Sequence, residues 1–174
     1  AALLALGALY ETGAGAGTPD AILPDPQAAF ESYRAAADLG NIQSKIKQAA
    51  LLMAGQGVTA DPETGLQMLR DLAAAGEPEA ALLMAEYYLQ TTTQTTAQTE
   101  PAADLAKAFA AYEQAAQAGS TSAQIQLAGM LLRGEGTPRD IPRGHALLQS
   151  TAAQGSDKAL LALGALGAEA VGGL

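Results

Sequence analysis

Four times along the chain an aspartate is followed fifteen residues later by a glycine: Asp25 to Gly40, Asp61 to Gly76, Asp104 to Gly119 and Asp140 to Gly155. Within these windows, offsets 4, 8, 11 and 12 from the Asp read Ala29, Tyr33, Ala36, Ala37; Gly65, Leu69, Leu72, Ala73; Ala108, Tyr112, Ala115, Ala116; and Gly144, Leu148, Thr151, Ala152. Small or apolar residues at that spacing share one face of a helix. The opening Asp offers a side-chain acceptor at the helix start, and Asp25-Pro26 and Asp61-Pro62 add a first helical residue that needs no backbone partner. The closing Gly supplies the left-handed conformation that stops the helix. The spacing therefore predicts a recurring helix, here called helix B.

A second lattice lies between these windows. Counting Ala2 as position 1, positions 1, 5, 6 and 9 are Ala2, Leu6, Gly7, Tyr10; then Ser44, Gln48, Ala49, Leu52; Ala80, Met84, Ala85, Tyr88; Ala123, Leu127, Ala128, Leu131; and Ala159, Leu163, Gly164, Gly167. Position 1 is always small and position 6 is always Gly or Ala, so this helix A approaches its neighbours closely. Helix A ends in Gly13-Ala14-Gly15, Gly55-Gln56-Gly57 and Gly134-Glu135-Gly136, which turn the chain back. Successive helix A starts are 42, 36, 43 and 36 residues apart. The surplus sits in the A-to-B loop, at Gly17–Pro24 and in the Thr/Gln-rich stretch Thr91–Glu100, while the lattice on either side is undisturbed. Stacked helical hairpins tolerate such insertions because each unit touches only its neighbours.

The pattern A-x-x-x-L-G-x-x-Y-x-x-G-x-G, a loop, then D-x-x-x-A-x-x-x-Y-x-x-A-A-x-x-G resembles the Sel-one-like repeat, a relative of the tetratricopeptide repeat. Ala2, Leu6, Gly7, Tyr10, Gly13 and Gly15, with Asp25, Ala29, Tyr33, Ala36, Ala37 and Gly40, carry the likeness. Gln48 in place of the core Leu, Thr91 and Thr93 in place of loop glycines, and Gly167 in place of Tyr depart from it. The expected fold is an all-α, right-handed superhelical solenoid of about four and a half hairpin repeats. Its units are 1–41, 42–77, 78–120, 121–156 and a partial 157–174, forming one repeat domain and a fragment of a longer protein. The heptapeptide LLALGAL, Leu3 to Leu9 and again Leu160 to Leu166, is then helix A of the first and last units. With no polar capping helix in sight, the leucines at both ends imply that the native protein continues or that the fragment self-associates.

Composition narrows the functions. Eighteen acidic against nine basic side chains give a formal charge of −9, which makes nucleic acid or an anionic membrane surface an unfavourable partner. The absence of cysteine removes thiolate metal sites and disulfides, without fixing the compartment. No apolar run reaches the roughly 18 residues of a membrane span. With 49% hydrophobic content but only five Tyr, two Phe and no Trp, the core must be built from small side chains.

Candidate catalytic chemistry is sparse. His145, the only histidine, occupies the helix B slot held elsewhere by Phe30, Leu66 and Phe109, and without a second His or a nucleophile it forms neither a metal site nor a relay. The stretch from Gly13 to Gly17 lacks the preceding strand and the Lys-Ser/Thr of a phosphate loop. Carboxylates such as Glu77, Glu79 and Glu11, the last set near Asp20, are read as helix-start charges that complement the macrodipole. The run Gln90–Thr99 reads as a solvated loop. No cofactor or metal is called for.

The helix A face left unused by the lattice, positions 4, 7 and 11, varies freely. In related helical-hairpin solenoids the A helices line the concave surface, so the resemblance implies a partner-binding groove bearing Lys47, Leu83, Glu86, Gln90, Gln126 and Arg133. It further implies a non-catalytic scaffold or adaptor for another protein, in a bacterial envelope, periplasmic, secretion or signalling assembly. The rivals are a module for an envelope polysaccharide or peptidoglycan, which needs aromatic platforms where helix A has only Tyr10, Tyr87 and Tyr88, and a hydrolase, for which no nucleophile and base pair is present.

Overall fold

A computed structural model describes residues 1–15, 21–94 and 101–172. Among them the chain forms nine helices and no strand: α1 (Ala2–Thr12), α2 (Pro26–Asp38), α3 (Ile42–Ala54), α4 (Pro62–Ala74), α5 (Pro78–Gln94), α6 (Pro101–Gln117), α7 (Thr121–Arg133), α8 (Ile141–Ala153) and α9 (Asp157–Gly172). Odd helices are helix A and even helices helix B, as the two lattices require. The chain is an all-α helical-hairpin repeat protein. It divides into two compact units, Ala1–Ala75 and Gly76–Leu174. In each, every helix packs on its sequence neighbour: α1 on α2, α2 on α3 and α3 on α4 in the first; α5 on α6, α6 on α7, α7 on α8 and α8 on α9 in the second. No helix among the described residues is long and apolar enough to cross a membrane.

The helix boundaries follow from the residues that flank them. Asp25, Asp61 and Asp140 accept the backbone N–H of Ala28, Thr64 and Arg143, each at 3.0 Å. Gly40, Gly119 and Gly155 adopt φ of +85°, +94° and +90°, and the residue after each donates back to the helix, as in Asn41 to Ala36 at 3.1 Å and Ser120 to Ala115 at 3.0 Å. Those same residues cap the next helix A: Asn41 Oδ1 accepts Ser44 N–H at 2.8 Å and Ser120 Oγ accepts Ala123 N–H at 3.2 Å. One residue thus ends helix B through its backbone N–H and starts helix A through its side chain, which keeps the turn short.

A second recurring bond closes the hairpin at its other end. The N–H of the helix B aspartate donates to the carbonyl at helix A position 9: Asp25 to Tyr10 at 2.8 Å, Asp61 to Leu52 at 2.9 Å and Asp140 to Leu131 at 2.9 Å. The first hairpin keeps this bond despite its longer loop, because Ala14 and Ile22 exchange two backbone hydrogen bonds of 2.8 Å and close the insertion at its base. Residues 16–20, including Gly17 and Asp20, lie outside the described region.

In unit 1 the core gathers Ala29, Phe30, Tyr33 and Leu51, with Leu4, Tyr10, Leu52 and Val58 against it. Gly7, buried in α1, lies under the Tyr33 ring: a Cβ there would sit 2.6 Å from Tyr33 Cε1. In unit 2 the corresponding cluster is Ala128, Leu148 and Ala159. The second glycine of the A-to-B loop docks the hairpin on the preceding one. At φ of +72° and +69°, Gly57 and Gly136 press against the backbone of Pro26 and Leu105, the first residue after the opening Asp of α2 and of the α6 window respectively. A Cβ would overlap those carbonyls.

The α5–α6 hairpin departs from expectation. Thr91 and Thr93 stand where the other units have glycine, so α5 is not stopped and continues to Gln94, 17 residues against 13 in α3 and α7. Thr91 and Thr92 bond back to the Tyr88 carbonyl at 2.9 and 2.8 Å within the helix. The loop read at Thr91–Glu100 therefore begins as helix, and its remainder, 95–100, lies outside the described residues. The partner arm lengthens too: α6 begins at Pro101, so Asp104 sits in its first turn rather than at its start and pairs with Lys107 at 2.9 Å.

Candidate functional site

The six helix A residues fall in both units. In unit 1, Lys47 on α3 is an ion-pair partner, its Nζ 3.4 Å from Glu11 Oε2. The same oxygen accepts the Tyr33 hydroxyl at 2.6 Å, so one carboxylate ties α1, α2 and α3. Burial first, then the hydrogen bond to Glu11 and its charge, hold the Tyr33 phenol well above its ordinary range. Glu11 lies in the last turn of α1, not at a helix start, which corrects the reading of it as a charge for the macrodipole.

In unit 2, Leu83 is half-buried and Glu86 and Gln90 are exposed along α5. Tyr112 on α6 is raised by burial and, secondarily, by the Glu86 charge. Gln126 and Arg133 are exposed on α7 and line a cleft of about 280 Å³ shared with α9, whose floor includes Gly129, Ala162 and Ala165. The structure thus joins Gln126 and Arg133 in one cleft and leaves Leu83, Glu86 and Gln90 outside its lining. Arg133 donates through Nε to Glu135 Oε1 at 2.8 Å and through Nη2 to Oε2 at 2.9 Å. That fork raises the guanidinium's proton affinity and lowers the Glu135 carboxyl below its usual range.

Glu11 and Glu135 were not legible as partners, since the first lies outside both lattices and the second fills the loop position between two glycines. Sequence reasoning also missed a pair of equivalent grooves on the other side of helix A. One, of about 410 Å³, lies among α6, α7 and α8, with Glu113 and Arg143 ion-paired at its edge. The other, of about 310 Å³, lies among α2, α3 and α4 with Asp38, Lys45 and Asp71 on its rim. Lys45 and Gln124 occupy the same lattice position in the two, so the repeat rebuilds one shape with different chemistry. His145 is exposed on α8, whereas Phe30 and Leu66 in its slot are buried. Among the described residues no group of three or more His, Cys, Asp and Glu is placed to hold a metal ion.

Residues 1–41, 49–77, 97–120 and 121–156 match the model of the Sel1 repeat. The chain belongs to the Sel1 repeat family. The stretches that the model leaves out, 42–48, 78–96 and 157–174, carry the departures at Gln48, Thr91, Thr93 and Gly167. Among solved structures, this Sel1 repeat protein is similar to a Sel1 repeat protein from Oxalobacter formigenes, at 25% identity and a TM-score of 0.68 over 93% of this chain. It spans 61% of that protein's chain. It is also similar to c5321, a protective antigen of uropathogenic Escherichia coli strains with an SLR fold, at 21% identity over 95% of this chain and 40% of the other, with a TM-score of 0.42. No curated protein matches the sequence.

Proposed function

We propose that this Sel1 repeat chain is a non-catalytic scaffold that binds a partner protein through the variable face of its A helices, at Lys47, Leu83, Glu86, Gln90, Gln126 and Arg133. Sel1 repeats generally mediate protein–protein interaction. The observation that carries the reading for this face is a contrast along each helix. Lattice residues such as Ala85 on α5 and Ala128 on α7 are fully buried, while Glu86 and Gln90 on the first helix and Gln126 and Arg133 on the second stand exposed with differing chemistry; on α3, Ala49 is fully buried and Lys47 half-buried. A surface freed from packing is where recognition residues reside. The assembly we assign it to is a bacterial envelope, secretion or signalling complex.

The polysaccharide alternative fares worse because its aromatic platforms are engaged. Tyr10 packs against the α2 core, and Tyr88 meets Tyr87 edge-on at 6.0 Å with Lys107 Nζ 5.6 Å from its ring centre. Affinity capture from the source organism's lysate tests the proposal, comparing the chain with a Lys47→Glu, Arg133→Glu variant whose helicity is checked by circular dichroism. The variant is expected to lose the specific partner. Equal capture of the same proteins by both would exclude this face, and turnover in a broad hydrolase screen would exclude a purely binding role.

A further inference from the structure

Arg133 is more constrained than an exposed arginine ordinarily is. Gly134 and Gly136, at φ of +74° and +69°, bracket Glu135, and Gly136 is seated on the α6 backbone at Leu105. The loop that carries Glu135 is therefore anchored, and Glu135 in turn grips two of the three guanidinium nitrogens. The third, Nη1, makes no hydrogen bond to any described residue and lies over Gly129, where a Cβ would stand 3.0 Å from it. The absent side chain leaves a donor edge fixed beside the apolar α7–α9 cleft. No other unit repeats this: position 11 is Ala54 on α3 and Gln90 on α5.

We infer that this cleft receives an extended, uncharged segment of the partner, one aliphatic side chain entering between α7 and α9 while the adjacent main-chain carbonyl accepts from Arg133 Nη1. Two features select that occupant. The volume of about 280 Å³ has room for an aliphatic side chain together with the main chain beside it, and the floor of Gly129, Ala162 and Ala165 lets the segment lie against helix backbone. Charge selects the rest. Glu135 cancels the Arg133 charge, so the site presents a directed donor without net attraction for a carboxylate, on a chain whose formal charge is −9. Toward a neutral carbonyl, a guanidinium held in place beforehand loses little freedom on binding. The Gln126 carboxamide, two turns before Arg133 along α7, lines the same cleft and offers both a donor and an acceptor to a passing peptide unit.

The inference rests on the A helices being the binding face and assigns the partner's chemistry at one point on it. Its test is a titration of the 15N-labelled chain with N-acetyl-Ala-Leu-Ala-amide and, separately, N-acetyl-Ala-Asp-Ala-amide, to about 10 mM. The leucine peptide is expected to shift the Gly129, Ala162 and Ala165 amides saturably, and the aspartate peptide to leave them unmoved. Arg133→Gln, an exposed change, is expected to weaken the leucine peptide about tenfold. Glu135→Gln frees the guanidinium and unmasks its charge, so leucine-peptide affinity falls while the aspartate peptide gains. No shift at those amides, an Arg133→Gln variant that binds equally well, or an aspartate peptide preferred by the unaltered chain overturns the assignment. The lysate capture reads Lys47 and Arg133 together and the titration reads the cleft alone, so either can fail without the other.

Discussion

The Tyr33 hydroxyl donates to Glu11 Oε2 at 2.6 Å, joining the middle of α2 to the last turn of α1. With Lys47 on the same carboxylate, three consecutive helices meet at one half-exposed group. Removing the hydroxyl by Tyr33→Phe is expected to cost about 1–2 kcal/mol in denaturant unfolding, as for a hydrogen bond to a charged acceptor that water partly reaches. Lys47→Ala is expected to change less, about 0.5 kcal/mol, because the ion pair is solvated.

The same relationship sets an alkaline limit. The folded-state phenol pKa of Tyr33 lies above its unfolded value of 10.0, so the neutral form that donates to Glu11 is fully present below pH 10. As pH rises past that point the unfolded chain releases the proton first, and stability falls. Tyr112 is shifted in the same direction and adds to the decline. Unfolding followed between pH 9 and pH 12 is expected to show a downward slope that is shallower in Tyr33→Phe; an unchanged slope would remove Tyr33 as its source.

Two identical heptapeptides are expected to respond oppositely to one substitution. Gly7→Ala places a methyl 2.6 Å from the Tyr33 ring and is expected to destabilise by about 1–3 kcal/mol. At Gly164 no described atom lies within 4 Å of an added Cβ, so Gly164→Ala is expected to stabilise α9 by about 0.5–1 kcal/mol through helix preference alone. Thermal melts of the two variants provide the comparison.

Ser44 is fully buried at lattice position 1, and its Oγ has no hydrogen-bond partner among the described residues. The other four units carry Ala there. Ser44→Ala is expected to raise stability by about 1 kcal/mol, by relieving an unmet polar group and favouring the helix. A fall in the urea midpoint would mean that the hydroxyl is satisfied after all.

Loop glycines separate into two kinds by what stands opposite them. Gly136→Ala drives a methyl into the Leu105 carbonyl and is expected to cost at least about 3 kcal/mol, whereas Gly155→Ala, with φ of +90° but open space around it, is expected to cost only the backbone strain, about 1–2 kcal/mol. Chemical denaturation of both variants checks the difference.

Helix identity was legible because it rests on local signals: Asp25, Asp61 and Asp140 cap, Gly40 and Gly155 stop, and small residues mark the packed face. Where a stop signal was missing, at Thr91 and Thr93, the sequence was read as a loop by analogy with its sister units. The residues themselves favour continuation, since nothing there supplies the left-handed turn. The face of candidate residues was legible as a periodic position, but their partners were not. Glu11 reaches Lys47 across 36 residues and Thr151 reaches Gln124 across 27, and such pairs depend on how neighbouring helices cross rather than on any spacing within one. The Arg133–Glu135 fork spans two residues and was readable in principle; what hid it was that Glu135 sits between two glycines whose role seemed already assigned to turning the chain.

The paired backbone bonds between Ala14 and Ile22 act as a closed stem. The Asp25 and Tyr10 clasp beneath it holds the two helices together whatever the length of chain between Ala14 and Ile22. The first hairpin thereby carries a natural grafting point, where an epitope or a short binding peptide can be displayed without asking the helices to accommodate it.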